Sequence, residues 1–526
     1  MNKPLFLRFN YLYVFGLVVL VTGLPLSLFL ISLSQFILAG SFLLEGNLSE
    51  KFKRFLKNKA ALLIVGIWIL HVVGMLWTTD LPQGWNDIRI KLPVLLLTLF
   101  IAGTEPLSKK QFHLVLAFFI AAVFAGTLVS MAVLTGVIHR EIIDIRDVFI
   151  FKISHIRFGL FTCIAIFILL YFVFKDQTNT NRVSRMLMCA LVIWLLTFLF
   201  IVESLTGLSI CISIILFLFI SYAWKNLGRS GRLILTATFI IFPLIVFLLL
   251  RKSFKENFTP RQVIIDVKAK TDQGNPYTFD FKNPEIENGY PAYIYMCEDE
   301  MRSEWGKRSS IAYDSTDKKM QPIKFTLIRF LASKGLRKDS AALSRLTDEE
   351  VRSIEKGIPN VSYQFPSVKV RLMQIMWEID QYSKAGDPNG HSIMQRFESW
   401  KAACEVIREN FFIGVGTGDL PDAVHAQYAV LNSKLNKEHY LRAHNQYLAI
   451  TVAFGVFGLA YFLFALFYPV IFLNQRQNYF YLVFFLALVL SMLTEDTLET
   501  QPGATFFAFF NAFFLYALPK ENDSRK

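Results

Sequence analysis

Residues 11–44 read YLYVFGLVVLVTGLPLSLFLISLSQFILAGSFLL, without one charged side chain. A helix crossing the hydrocarbon core of a bilayer takes about 20 apolar residues. The run is too long for one crossing, and Gly23 and Pro25 divide it into two. It is also too long for the apolar core of a cleaved signal peptide. Comparable runs follow at 60–77, 90–104, 112–138, 158–174, 186–203, 206–224, 232–250, 446–473, 478–494 and 503–518. The pattern predicts about twelve spans, with both termini on the cytoplasmic side.

Composition agrees. Of 526 residues, 54% are hydrophobic, 15% aromatic and only 18% charged, where a soluble domain carries about 25% charged residues. A soluble enzyme and a disordered chain are both excluded as descriptions of the whole. The net charge of +13 would suggest a nucleic-acid partner in a soluble protein. In a membrane protein Lys and Arg first set topology, so no nucleic acid is expected. With a cytoplasmic N-terminus, the inner connections hold Lys51, Lys53, Arg54, Lys57, Lys59, Lys109, Lys110, Lys175, Arg182, Arg185, Lys225, Arg229, Arg232, Arg476, Lys520, Arg525 and Lys526. The short outer connections hold Arg89, Lys91, Arg140, Arg146, Lys152 and Arg157. Shifting the count by one span inverts this bias.

The chain therefore reads as an all-α polytopic membrane protein with about twelve transmembrane helices and a small α+β extracytoplasmic insertion. Residues 1–250 form a membrane domain of nine spans, 251–445 a long outer segment, and 446–526 the last three spans. Within the outer segment, 255–365 is polar and mixed in charge. Val263, Ile265 and Val267 alternate there as in a half-buried strand, and Thr347 and Glu350 have the spacing of a capping box. Residues 366–445 have amphipathic helical patterning. Five cysteines make no disulfide framework. Cys163, Cys189 and Cys211 fall in spans as small packing residues. Cys297 and Cys404 both lie outside, so a disulfide between them and a pair of free thiols are both open.

Ionisable groups inside spans mark transport pathways. Here His71 lies mid-span and Glu203 near an outer end, and little else does, which argues against a coupled transporter. Polar residues gather instead at the outer ends of spans, where a membrane-surface site would lie. The sharpest constellation is His444-Asn445-x9-Gly455-x2-Gly458. On one continuous helix at 100° per residue, Gly455 falls about 20° from His444, so the His would stand above a glycine strip open to a neighbouring helix. An interfacial His over an ordinary packing groove is the alternative. A second constellation is Arg396-x3-Trp400 followed by Gly414-x-Gly416-x-Gly418. Arg396 and Trp400 share a helix face, and an Arg fork holds phosphate well. The glycine run, Gly416 at its centre, either cradles an anion with backbone N–H groups or simply turns the chain. His155-x-Arg157 and Arg371 are further binding candidates, against side chains that snorkel to headgroups. Glu495, Asp496 and Glu499 form an acidic loop that either balances the arginines or is solvated. No D-x-D and no Cys/His ligand spacing occurs, so neither a metal nor a cofactor is expected.

The span count, the long outer segment before the last three spans, Arg396-x3-Trp400, Gly414-Val-Gly-Thr-Gly418 and His444-Asn445-x9-Gly455-x2-Gly458 together resemble the O-antigen ligase and polymerase superfamily. The resemblance covers the membrane domain in outline and 394–458 in detail. It implies a metal-independent, inverting glycosyltransferase of the bacterial inner membrane. The donor would be a glycan on undecaprenyl pyrophosphate at the periplasmic face, and the acceptor lipid A–core. Polymerases, which extend a glycan, and protein-glycosylating relatives are the alternatives within the superfamily. A lipid-glycan transporter is the alternative outside it. The resemblance assigns His444 as general base and Arg396 as an essential periplasmic Arg. It places Asn445 and Trp400 beside the substrate, with Gly455 and Gly458 as motif glycines. Members also carry a Ser-Arg near the outer end of a middle span. This chain reads Glu203-Ser-Leu-Thr-Gly207 there, which leaves Arg157 or Arg371 for that role.

Overall fold

The computed structural model describes residues 3–519 apart from 141, 143–144, 152, 176–180, 284, 365–367 and most of 234–263. The expected span at 232–250 lies for the most part outside the described residues. So do Val263, Lys152, Lys520, Arg525, Lys526 and the side chains of Arg146 and Arg371.

Each remaining apolar run is a helix. α1 (Lys3–Leu26) and α2 (Leu28–Leu44) part at Ser27, whose side chain accepts the Leu30 N–H as an N-cap. α2 then bends by 114° into the charged α3 (Leu48–Lys57). α4 (Lys59–Val73), α5 (Leu81–Gly103), α6 (Lys109–Leu134), α7 (His155–Phe174), α8 (Arg182–Ile201) and α9 (Leu205–Asn226) follow. Among the described residues six helices are long and apolar enough to cross a membrane, or seven if the bent α2–α3 pair is one span. The expected twelve are thus not confirmed, and the run at 232–250 lies mostly outside the described residues. α5 carries Asp87, Arg89 and Lys91 in its first half, and two of the last three apolar runs make short helices.

After the first membrane block comes the polar insertion. Its β1 (Ile286–Glu287) and β2 (Tyr290–Pro291) form one antiparallel pair, with Ile286 opposite Pro291. α10 (Glu298–Arg308), α11 (Ile323–Ser333), α12 (Ser340–Ser344) and α13 (Asp348–Glu355) pack around it. Trp305, Leu327, Phe330, Leu331 and Ile354 make a core separate from that of the bundle. The Thr347–Glu350 capping box opens α13 as expected. The expected strand through Ile265 and Val267 is absent: that stretch is irregular, and Ile264 beside it is 97% exposed. Alternation alone gave no partner strand to bond.

α14 (Val368–Ala385), α15 (Ser392–Glu409) and α16 (Leu420–Val430) lead back to the bundle, which closes with α17 (Gln446–Ile471), α18 (Tyr479–Ser491) and α19 (Gln501–Tyr516). α19 is buried at every position from Pro502 to Leu515. A helix apolar all round belongs inside a bundle, and its phenylalanines stack there, Phe513 on Phe112 at 4.7 Å. All five cysteines are free thiols, so Cys297 and Cys404 are not joined.

Candidate functional site

The motif residues meet where α17 begins, but not in the way a continuous helix would arrange them. His444 precedes the helix with φ +43°, and Asn445 is the N-cap, accepting the N–H groups of Tyr447 (2.9 Å) and Leu448 (3.1 Å). The Asn445 amide also donates to the Leu493 carbonyl at 3.0 Å, tying the cap to the end of α18. α17 is broken at Gly455, with φ +62° and ψ −165°. The helical-wheel relation between His444 and the two glycines therefore does not hold.

The glycine loop explains the break. Val415 and Gly416 donate their N–H groups to the carbonyls of Val452 and Ala453, each at 2.9 Å, and Val456 donates to Phe411 at 2.8 Å. Carbonyls freed by the broken helix thus bond to a loop, as buried backbone requires. A Cβ on Gly455 would lie 2.2 Å from the Phe412 carbonyl carbon, and one on Gly414 would lie 2.3 Å from that of Ala453. The two backbones approach so closely that only glycine fits. With its N–H taken, Gly416 packs this crossing; it does not cradle an anion. Gly458 makes room for Phe454, whose Cβ would stand 2.1 Å from an added Cβ.

Around His444 the charges converge. The Glu495 carboxylate accepts from Arg396 Nη2 at 3.2 Å and lies 3.9 Å from His444 Nδ1. His444 Nδ1 is buried without a hydrogen-bond partner. Arg157, at the start of α7, shares a narrow pocket with Glu495, and its Nε is also buried without a partner. Burial raises the Glu495 pKa above the ordinary carboxylate value, while His444, Arg396 and Arg157 pull it down. Glu495, Asp496 and Glu499 are each under 10% exposed, so the acidic loop balances cations and is not solvated. His444, Glu495 and Asp496 bring their ligand atoms within 4.8 Å of one another, the spacing of a cation site. The guanidinium groups of Arg396 and Arg157 also act on Glu495 there.

Other expected residues stand nearby. Arg396 and Trp400 share α15, and the Trp400 indole N–H is buried without a partner. His155 and Arg396 both line a large cavity between the bundle end and the insertion. Arg371 lies in α14, its side chain outside the described residues.

One cluster was not anticipated. Lys91 was assigned to an outer loop, yet it lies inside α5 and is 1% exposed. Its Nζ is 2.8 Å from Glu499 Oε2 and 3.6 Å from Asp87 Oδ2. Arg442 completes the square, 2.9 Å from Glu499 and 3.5 Å from Asp87. Gln446 fixes the same loop, its Oε1 accepting the Leu498 N–H at 2.6 Å. The i, i+4 spacing of Asp87 and Lys91 was the available signal. Buried charge is thus not scarce, and its scarcity no longer argues against transport. Two carboxylates and two cations neutralise one another here and clamp α5 to the acidic loop and to the chain entering α17.

Residues 358–463 match the family model of O-antigen ligases. The match runs from the end of the insertion into α17 and takes in Arg396, Arg442, His444, Gly455 and Gly458. It supports the O-antigen ligase superfamily for this chain, and its many apolar helices are those of a polytopic membrane protein. No curated protein matches the chain.

Proposed function

We propose, from the premise that residues 358–463 are an O-antigen ligase segment, that this chain is a metal-independent, inverting glycan transferase. It takes a glycan from undecaprenyl pyrophosphate at the periplasmic face of the bacterial inner membrane and passes it to lipid A–core. The observation that carries this reading is the line Arg396–Glu495–His444, whose Arg396 also lines the large cavity.

In the resting arrangement Glu495 holds Arg396 at hydrogen-bond distance and His444 beyond it. An incoming pyrophosphate competes for the Arg396 guanidinium, which offers a planar fork to phosphate. Glu495, released, is left to accept the His444 Nδ1–H. That turns Nε2, as a lone-pair acceptor, toward the acceptor hydroxyl. Catalytic hydrogen bonds are often long before substrate binds and tighten in the complex. The acceptor oxygen then bonds to the anomeric carbon, the bond to the pyrophosphate oxygen breaks, and the hydroxyl proton passes to His444. Arg396 and Arg157 stabilise the charge on the departing pyrophosphate, the work that a metal would otherwise do. Asn445 caps the helix that follows His444, and Trp400 lies one turn from Arg396 on α15.

The test is transfer by purified protein from a polyprenyl-pyrophosphate glycan to lipid A–core, run with excess EDTA. Undiminished transfer in EDTA supports the reading. Activity that vanishes and returns with Mg²⁺ or Mn²⁺ would move the chemistry to a metal on His444, Glu495 and Asp496. Extension of the lipid-linked glycan without attachment to lipid A–core would make the protein a polymerase.

A further inference from the structure

The large cavity has a volume of about 1050 Å³, above the roughly 300–1,000 Å³ that suits a drug-sized ligand. Its walls have different chemistry. The bundle end contributes Ile145, Ile156, Val202, Ile210, Leu490 and Leu493, an apolar surface. The insertion contributes Lys319, Gln321 and Lys356. Lys319 and Lys356 are brought together by the fold. The Lys318 N–H donates to the Glu355 carbonyl at 3.0 Å, joining the two loops. The Lys319 side chain lies across Gly357, where an added Cβ would meet Lys319 Cβ at 3.0 Å. Both lysines are exposed, and neither forms an ion pair among the described residues. The acidic groups of the lining, Glu203 and Glu378, belong to the bundle end and α14, not to the insertion.

Two neighbouring lysines without ion pairs in a concave wall raise the local concentration of anions; the buried Asp317 behind Lys319 is held by the N–H groups of Lys319 and Gln321 and by the Thr326 hydroxyl. We infer that the insertion carries the acceptor subsite: Lys319 and Lys356 take the phosphate or carboxylate groups of an anionic glycan. The apolar wall accommodates the lipid to which such a glycan is attached. This inference rests on the glycan-transfer reading for its use of the word acceptor, but the subsite itself can be tested by binding.

The experiment compares the full-length parent with the charge reversal K319E/K356E and the milder K319Q/K356Q. Three probes are titrated in detergent: a phosphorylated oligosaccharide, a uronic-acid oligosaccharide and a neutral one. The expected result is binding of the anionic probes by the parent, weakened about tenfold in K319E/K356E, the factor that two exposed ion pairs can supply. Binding weakened for only one anionic probe identifies the anion. In the transfer assay the acceptor KM rises by the same factor while kcat and the donor KM stay level. Equal binding of charged and neutral probes, or parental acceptor KM in both variants, overturns the subsite. A parent that binds anionic glycan through these lysines yet transfers none keeps the subsite and sinks the transferase reading. Both side chains are exposed, and elution of the variants as the parental species on size exclusion guards against misfolding.

Discussion

Replacing Lys91 by Met should unfasten the loop on which the site depends. Lys91 is 1% exposed and its Nζ lies 2.8 Å from Glu499. Met fills nearly the same volume, so little cavity forms and the loss is mainly electrostatic. Removing one partner of a buried ion pair costs about 3–5 kcal/mol, because the other charge stays buried and uncompensated. Arg442 remains 2.9 Å from Glu499, and Gln83 donates to Asp87 at 2.7 Å, which places this variant at the lower end, about 3 kcal/mol. Arg442 precedes His444 by two residues. It must then serve both carboxylates alone, and the chain entering α17 loses its fixed anchor. The assay is the unfolding midpoint in an SDS titration of detergent-solubilised protein, with transfer activity measured well below it. The double variant K91M/E499Q removes both members of the closest pair, so it should be less destabilised than the sum of the single variants, by about 0.5–3 kcal/mol. A Lys91→Met protein within about 0.5 kcal/mol of the parent, the range of an ordinary surface substitution, would refute the clamp.

His444→Ala should lower transfer by about 10²–10⁴-fold, the contribution of a general base, with the unfolding midpoint unchanged; near-parental turnover removes the assignment. Arg396→Lys keeps the charge but loses the fork, and should cost about ten- to a hundredfold in transfer, equivalent to one charge-assisted hydrogen bond of about 1.5–3 kcal/mol. Full activity of that variant would shift the donor site to Arg157. Gly455→Ala forces a Cβ to 2.2 Å from the Phe412 carbonyl at a φ of +62°, whose backbone strain alone is about 1–3 kcal/mol; SDS titration should show it at least that far below the parent, and a parental midpoint would disprove the backbone crossing. In the insertion, burial works to raise the Glu300 pKa, but hydrogen bonds from Thr271, Asn275 and Ser340 overcome it and lower the value to about 2. A carboxylate with a depressed folded pKa adds stability above its unfolded value that is lost as pH falls. The insertion should therefore weaken between about pH 4.5 and 2, and Glu300→Gln should flatten that acid limb in circular dichroism.

Helix positions were legible in the sequence because they follow from local rules. Uncharged apolar runs satisfy their own backbone hydrogen bonds, so 11–44 yields α1 and α2 with a break near Pro25, and Thr347 with Glu350 starts α13 wherever that segment lies. The membership of the site was legible in part, through His444, Arg396 and the glycines of the motif. Its geometry was not. The break at Gly455 exists because a loop some forty positions earlier, at Val415 and Gly416, accepts the task of bonding the carbonyls of Val452 and Ala453. His444 itself, at φ +43°, stands outside the helix, so the wheel relation between it and Gly455 fails at both ends. Lys91 reads as a loop cation until Glu499, 408 positions away, is folded against it. Glu495 reads equally as a balance for the arginines and as a solvated acid until Arg396 and His444 meet it. Hydrogen bonds within a helix join neighbours in the chain and can be read from it. Charge pairing and backbone crossings join residues that only the packed bundle brings within a few ångströms, and there the tertiary structure alone decided which side chains are buried and which are paired.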